Sequence, residues 1–278
     1  MRSAQRCCVL VLLVLVLITY LMGMGCAPTS PATQSAMPST PPPAEFVPVF
    51  RIQVGTTLRY QVETSVTGTA PGKRIPETRQ KVAVTYHVIG VDAQGTTSVR
   101  MDAEGKPFAL VRIRRNGTLR DLRALSPETA GDVEALAPTM KGLPIDRPVR
   151  VGDGVPFRQR VPSTSTGLPQ DIDVLGTMIL SRFSPVGRCW AAEFQGALRL
   201  DLPGGGELTD PKTGTRFRLE ATGTAQSRIE VQTGILVNSQ AAMTLDVAAL
   251  GGQPPVRARI ITTNDLRLDP GSLGALGC

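Results

Sequence analysis

Histidine is almost missing from this 278-residue chain, with His87 the only one, and aromatic residues amount to 4%. Zinc sites draw on several His or Cys ligands at set spacings, and none of those spacings occurs here. A hydrolase built on His87 would need a nucleophile, yet the G-x-S-x-G elbow is absent. His87 sits beside Thr85 on the less apolar parity of its strand, where a partly exposed sheet histidine is expected. The sequence also lacks any block of like charge, and its few aromatics cannot supply base-stacking platforms, which excludes nucleic acid as a partner. The stretch from Gly204 to Gly214 has neither the P-loop pattern nor the alternating acids of a calcium loop, so it reads as an exposed hairpin loop. Neither an enzyme nor a cofactor or metal is expected.

What is present begins with an address. Arg2 and Arg6 precede an almost unbroken apolar run from Val9 to Met22, in the order of a secretory signal. A membrane-spanning helix needs about 20 apolar residues, and this run is shorter before it meets Gly23 and Gly25. Loss of such a leader, residues 1–25, would lower the formal charge from +7 to +5. The stretch Leu21-Met22-Gly23-Met24-Gly25-Cys26 resembles the lipobox of bacterial lipoproteins, although Gly23 stands where leucine is usual. The resemblance implies cleavage before Cys26, which receives diacylglycerol and becomes the new N-terminus, with palmitate among the acyl chains, and this makes a membrane the first partner. Two or more acyl chains hold stably where one holds marginally. An ordinary signal peptide, cut near the same place with Cys26 left as a thiol, is the alternative.

Residues 26–48 are rich in Pro, Ser, Thr and Ala, contain Pro41-Pro42-Pro43 and carry almost no charge, so they predict an extended tether. At about 3.1 Å per residue, some 20 residues reach roughly 60 Å at most. Beyond the leader and Cys26 the remaining cysteines are Cys189 and Cys278. An export compartment permits disulfides, so the two either bridge and tie down the C-terminal tail, 269–278, or remain separate thiols. Without a bridge that tail is expected to be flexible.

Residues 49–268 predict one β-rich domain. Apolar residues recur at every second position, as on strands with one buried face: Leu58, Tyr60 and Val62, then Val82, Val84, Tyr86 and Val88. Further strands are expected over 96–102, 108–114, 118–123, 156–161, 171–183, 189–200, 216–231, 235–247 and 256–266. Turn residues part them at Asp92 to Gly95, Asn116-Gly117, Pro185 to Gly187 and Thr233-Gly234, which predicts an antiparallel sheet of long hairpins. Asn116-Gly117-Thr118 also matches a glycosylation sequon, but the hairpin-turn reading is preferred. One short helix is expected from Ser126 and Pro127, with Val133, Leu136 and Met140 as its stripe and Gly142 as its end. The series from Val54-Gly55 and the series from Val151-Gly152 are alike in outline, suggesting two related β units, 52–123 and 149–247.

The helix followed by Leu143-Pro144-Ile145-Asp146-Arg147-Pro148-Val149-Arg150-Val151-Gly152-Asp153 and a strand resembles uncharacterised bacterial lipoproteins with a long curved antiparallel sheet. Those are similar in turn to the lipoprotein-carrier group, whose half-open β-barrel and helices enclose an apolar cavity. The resemblance implies a mainly β fold, a long curved antiparallel sheet or half-barrel with one short helix, able to hold an acyl chain. No functional residue is carried over by it, and fold does not fix function.

Arginines at two-residue spacing form the remaining pattern: Arg112 with Arg114, Arg158 with Arg160, Arg216 with Arg218, and Arg257 with Arg259. Each pair shares one strand face. Adjoining strands would gather them into a basic surface for phosphate or carboxylate groups of lipids or envelope polymers. Otherwise they form a solvated face paired with acids such as Glu63, Glu193 and Glu220. The expected function is thus a non-catalytic lipoprotein of the cell envelope that binds or carries a lipid or other hydrophobic ligand. A structural or protein-interaction module is the alternative. Ala27 after Cys26 favours the periplasmic side of the outer membrane.

Overall fold

The computed structural model describes residues 38–71, 73–131, 133, 145, 147–161, 170–209, 214–250 and 257–278. The leader, Cys26, and Leu136, Met140 and Gly142 of the expected helix lie outside the described residues.

Alternation of apolar and polar residues produces twelve strands: β1 (Thr57–Ala70), β2 (Lys73–Val91), β3 (Thr97–Ala103), β4 (Lys106–Ile113), β5 (Leu119–Ala124), β6 (Gly154–Val161), β7 (Ile172–Val186), β8 (Cys189–Asp201), β9 (Glu207–Thr209), β10 (Arg216–Glu230), β11 (Leu236–Leu250) and β12 (Arg257–Leu268). They form one antiparallel sheet in the order β5-β4-β3-β2-β1-β12-β11-β10-β8-β7-β6, with β9 on the edge of β10. The path ends at β5 and β6 without closing, as in the long curved antiparallel sheet or half-barrel that the resemblance implies. Sharp bending needs residues without side chains on the concave face. A Cβ on Gly223 would lie 2.4 Å from the carbonyl oxygen of Ala242 on β11.

Register fixes which side chains share the concave face. Tyr60 stands opposite Val84 on one side and Leu268 on the other, while Met243 stands opposite Gly223 and Thr262. Two apolar clusters cover this face. One joins Phe194, Leu180, Met178, Ile172, Leu219 and Leu245, and the other joins Leu58, Tyr60, Val99, Val111 and Ile235. Two polar groups buried beside them are paired, as burial favours. Thr64 Oγ1 donates to Asn264 Oδ1 at 3.0 Å, and the Tyr60 hydroxyl donates to the Leu236 carbonyl at 3.0 Å. Tyr60 and Tyr86 meet edge to face at 5.3 Å, a favoured ring geometry. Burial drives both phenol pKa values up, to about 12 for Tyr86.

The strand order places β1 to β5 side by side, then β12, then β11, β10, β8, β7 and β6. Bonds at the entrance to each group recur. Gly55 N–H donates to Val88 O and Gly152 N–H to Leu180 O, both at 2.8 Å. Val88 and Leu180 return bonds to Thr56 and Asp153. Gly117 and Gly234 close the corresponding later turns, both at positive φ. These recurrences fall within the two expected units, and β12 lies between them.

Two segments depart from expectation. The tether ends before Pro48 because Phe46 supplies a large apolar side chain that the sheet buries. Phe46 is 2% exposed, bonds through its backbone to Val149 and meets the Phe194 ring edge on at 5.5 Å. Trp190 Nε1 already donates to the Thr40 carbonyl at 2.9 Å. The strap then continues across the turns, with Phe50 N–H on Arg115 O and Arg51 N–H on Thr233 O. A Cβ on Gly234 would lie 1.5 Å from the carbonyl oxygen of Val49, so this crossing demands glycine.

The tail is the second departure. Residues 269–278 are held rather than flexible: Asp269 caps α1 (Pro270–Gly274) by accepting from Gly271 N–H, and Ser272 Oγ accepts from Arg59 N–H at 2.9 Å. Cys278 is bonded to Cys189 with a Cα–Cα distance of 5.2 Å, within the range that bridges require. Leu273 and Cys278 pack over Val186, Cys189, Ala191 and Val237. At the expected helix, Pro127–Thr129 form a 3-10 turn and Val133 is buried. Ser126 makes no side-chain cap; instead Thr129 Oγ1 donates to the Phe108 carbonyl at 3.2 Å.

Candidate functional site

The four arginine pairs do not meet in one surface. β4 with Arg112 lies next to one edge of the sheet and β6 with Arg158 and Arg160 forms the other edge, while β11 separates β10 from β12. Pairing along the strands explains most of them as a solvated face. Arg158 bonds Asp173 and Arg160 reaches the same carboxylate at 3.5 Å. Arg216 and Arg218 share Glu207 at 2.7 and 3.0 Å, and Arg259 takes Asp246 at 2.8 Å. The acids differ from those expected: Glu63 holds Arg79 and Lys81, and Glu193 holds Arg182 and Arg228. Hydrogen bonds from Arg158 hold the Asp173 carboxyl below its ordinary pKa, and those from Arg216 and Arg218 do the same for Glu207.

Across β11, Arg218 and Arg257 flank Ala248 in one cross-strand row, with Glu220, Asp246 and Arg259 in the next. That region carries both signs of charge. The β4 end differs. Arg114, Arg115 and Arg120 line an open cleft of about 480 Å³ together with Gln94, Thr96 and Asn116. Arg115, Arg120, Gln94 and Thr96 were not singled out by the sequence pattern, since Gln94 and Thr96 lie at the β2–β3 connection, Arg115 on the β4–β5 turn and Arg120 on β5, which only strand pairing brings together. The doublet Arg114-Arg115 beside the Asn116-Gly117 turn was the available sign.

His87 stands on the convex face within a polar row. Its Nδ1 is 3.2 Å from Thr57 Oγ1 and its Nε2 is 3.1 Å from Asp102 Oδ2, while Arg100 bonds both oxygens of Asp102. Hydroxyl, imidazole and carboxylate occur in the order of a nucleophile relay. The imidazole side chain is 30% exposed, and the row spans three flat neighbouring strands away from the arginine cleft. Geometrically it fastens β1, β2 and β3 together.

Cys189, Cys278 and the fully buried Glu230 place ligand-type atoms within 4.8 Å of one another. The sulfurs are spent on each other, which removes the thiolates that metals bind. The Glu230 carboxylate accepts from Gln232 N–H at 2.9 Å and Thr233 N–H at 2.7 Å, so it serves the turn that the strap crosses.

No protein-family model matches the chain, and no curated protein matches it by sequence. Among solved structures it is similar to a protein from Bacteroides fragilis described as exported and with a YmcC-like fold, at 11% identity and a TM-score of 0.29, covering 81% of this chain and 99% of that one. It is also similar to an outer-membrane channel from Pseudomonas putida F1, at 8% identity and a TM-score of 0.17, covering 87% of this chain and 100% of that one. Scores this low carry no argument about function.

Proposed function

We propose that this chain is an exported lipoprotein of the cell envelope, anchored through Cys26, whose sheet binds a hydrophobic ligand without transforming it. The observation that carries the reading is the Cys189–Cys278 bond, because disulfides persist in oxidising compartments outside the cytosol. The leader and the lipobox-like residues before Cys26 agree with it. The unclosed sheet gathers its apolar side chains on one face, where they are buried against one another, so an acyl chain would enter by parting them. Ala27 favours the outer membrane.

Radioactive palmitate should label the chain and leave Cys26→Ser unlabelled. Native mass spectrometry of the protein purified from its own envelope should find co-purified lipid. Absence of lipid, with no lipid transfer in vitro, would sink the ligand half of the reading. An interaction module is the second reading, favoured by the exposed apolar residues Val54, Ile89 and Val91 near the Gly55–Val88 bond. Under that reading Ile89→Glu abolishes partner capture and lipid is never found.

A further inference from the structure

Once placed on the sheet, the arginine pairs differ in charge balance. Both arginines of two pairs, Arg158/Arg160 and Arg216/Arg218, face a carboxylate, and Arg259 faces Asp246, whereas at the β4 end Arg114 and Arg115 line the cleft with Arg120, and only Arg112 and Arg120 reach an acid, Asp92. Asp92 takes Arg112 at 3.0 Å and Arg120 at 3.6 Å. Among the described residues neither Arg114 nor Arg115 has an ion-pair partner, and Arg123 occupies Asp121 at 2.7 Å. The cleft therefore carries an excess of positive charge that its own acids do not cancel.

The turns that carry its arginines are fixed before any ligand arrives, while the Arg114 and Arg115 side chains stay exposed. Asp92 Oδ1 accepts from Gln94 N–H at 3.1 Å and Thr96 N–H at 2.8 Å, bonds that hold its carboxyl below the ordinary pKa, the one from Thr96 first. Thr96 Oγ1 accepts from Arg120 at 3.2 Å. Arg114 N–H donates to Thr118 O, Gly117 N–H donates to Arg114 O, and Asn116 Oδ1 accepts from Thr118. The Arg115 carbonyl accepts from Phe50 N–H at 2.6 Å, and the Arg115 stem passes beside Gly95. Such preorganisation lowers the ordering cost of binding. The volume lies within the roughly 300–1,000 Å³ of small-ligand sites.

We propose that this cleft is a phosphate-binding site, with Arg114 and Arg115 gripping the anion and Arg120 behind them. A phosphate group offers several acceptor oxygens to several guanidinium forks and carries more charge than one carboxylate, which suits a site with more than one unneutralised arginine. Antiparallel order sets the cleft at the same end of the sheet as Thr233, Cys278 and Thr40. From Cys26 to Thr40 the chain reaches about 40 Å at most, at about 3.1 Å per residue. Resting here on the proposed anchor, the phosphates are those of anionic headgroups in the membrane that holds the protein.

The test uses the full chain in phosphatidylcholine nanodiscs, titrated calorimetrically with inorganic phosphate and with glycerol 3-phosphate at constant ionic strength. One saturable site is expected, at least tenfold weaker in Arg114→Gln/Arg115→Gln and unchanged in Arg257→Gln/Arg259→Gln. In nanodiscs containing phosphatidylglycerol, soluble phosphate should no longer titrate, because headgroups already fill the cleft. Unchanged titration in both kinds of disc would overturn the membrane source and leave free phosphate. No saturable binding, or equal loss in the two double variants, would overturn the site itself. Palmitate labelling reads the anchor separately, so an unlabelled chain that still titrates phosphate sinks the anchor and not the cleft.

Discussion

Replacing Cys189 and Cys278 together by alanine removes the disulfide cross-link that fastens the end of the C-terminal tail to the start of β8. The two cysteines are 89 residues apart, and loop-closure entropy for a ring of that length gives about 4.6 kcal/mol at 25 °C, an upper value for a bridge that adds no native strain. Measured bridges more often deliver about 2–4 kcal/mol. Part of the tail stays in place without the bond, since Asp269 N–H donates to Arg59 O and Ser272 accepts from Arg59 N–H. Urea denaturation followed by circular dichroism should therefore show a loss of about 2–4 kcal/mol, with dithiothreitol producing the same loss in the wild-type chain and none in the variant. Amide exchange should quicken most at Arg188, whose N–H donates to Cys278 O, and at buried Val99 and Val111 only by the global change. A loss below about 0.5 kcal/mol would refute the reasoning, because the bridge would then not constrain the unfolded chain.

Two further outcomes rest on packing and on charge. Phe46→Ala should cost about 3–5 kcal/mol in the same urea experiment, because the ring is buried against Phe194 and its loss leaves a cavity; a cost below about 1 kcal/mol would mean that the strap is not part of the core. Asp173 has a depressed folded pKa, so its contribution is fully present above its unfolded value near 3.8 and is lost as pH falls through the folded one. The stability gap between wild type and Arg158→Gln should be widest at neutral pH and narrow as pH falls below the unfolded value and through the depressed folded one, read from melting temperatures across the acid range. A gap that stays constant down to pH 2 would be inconsistent with that ion pair.

The sheet was legible because one face of each strand is buried. Val82 to Val88, 97–103 and 216–230 alternate plainly, and turn glycines marked their ends. Where burial weakens, so did the pattern. The far half of β2, from Lys73 to Arg79, pairs with β1 alone and is mostly exposed, so no apolar alternation announced it. The polar half of β1 hides Thr64, whose inward position is satisfied by Asn264 on a distant strand that no local periodicity announces. The start of the strap looked like tether because Phe46 is isolated among prolines and polar residues, and its value depends on a cluster supplied elsewhere. β9 lies inside the stretch read as a hairpin loop, where only its pairing with Arg216 to Arg218 makes Glu207–Thr209 a strand. Of the cleft arginines only Arg114 was visible as spacing, and the neutralisation of the other pairs by Asp173, Glu207 and Asp246 depended on register.

β12 is the last strand made, yet it sits in the middle of the sheet, with Tyr60 pairing Leu268 on one side and Asn238 pairing Arg267 on the other. Until the final segment arrives, β1 and β11 each present an unsatisfied edge to their surroundings. Contacts so distant in sequence form slowly, and open edges invite pairing with other chains meanwhile. A nascent copy emerging N-terminus first would thus remain two unjoined leaves for most of its delivery, and cells making it quickly would depend on holding chaperones to shield those leaves until the keystone slots home.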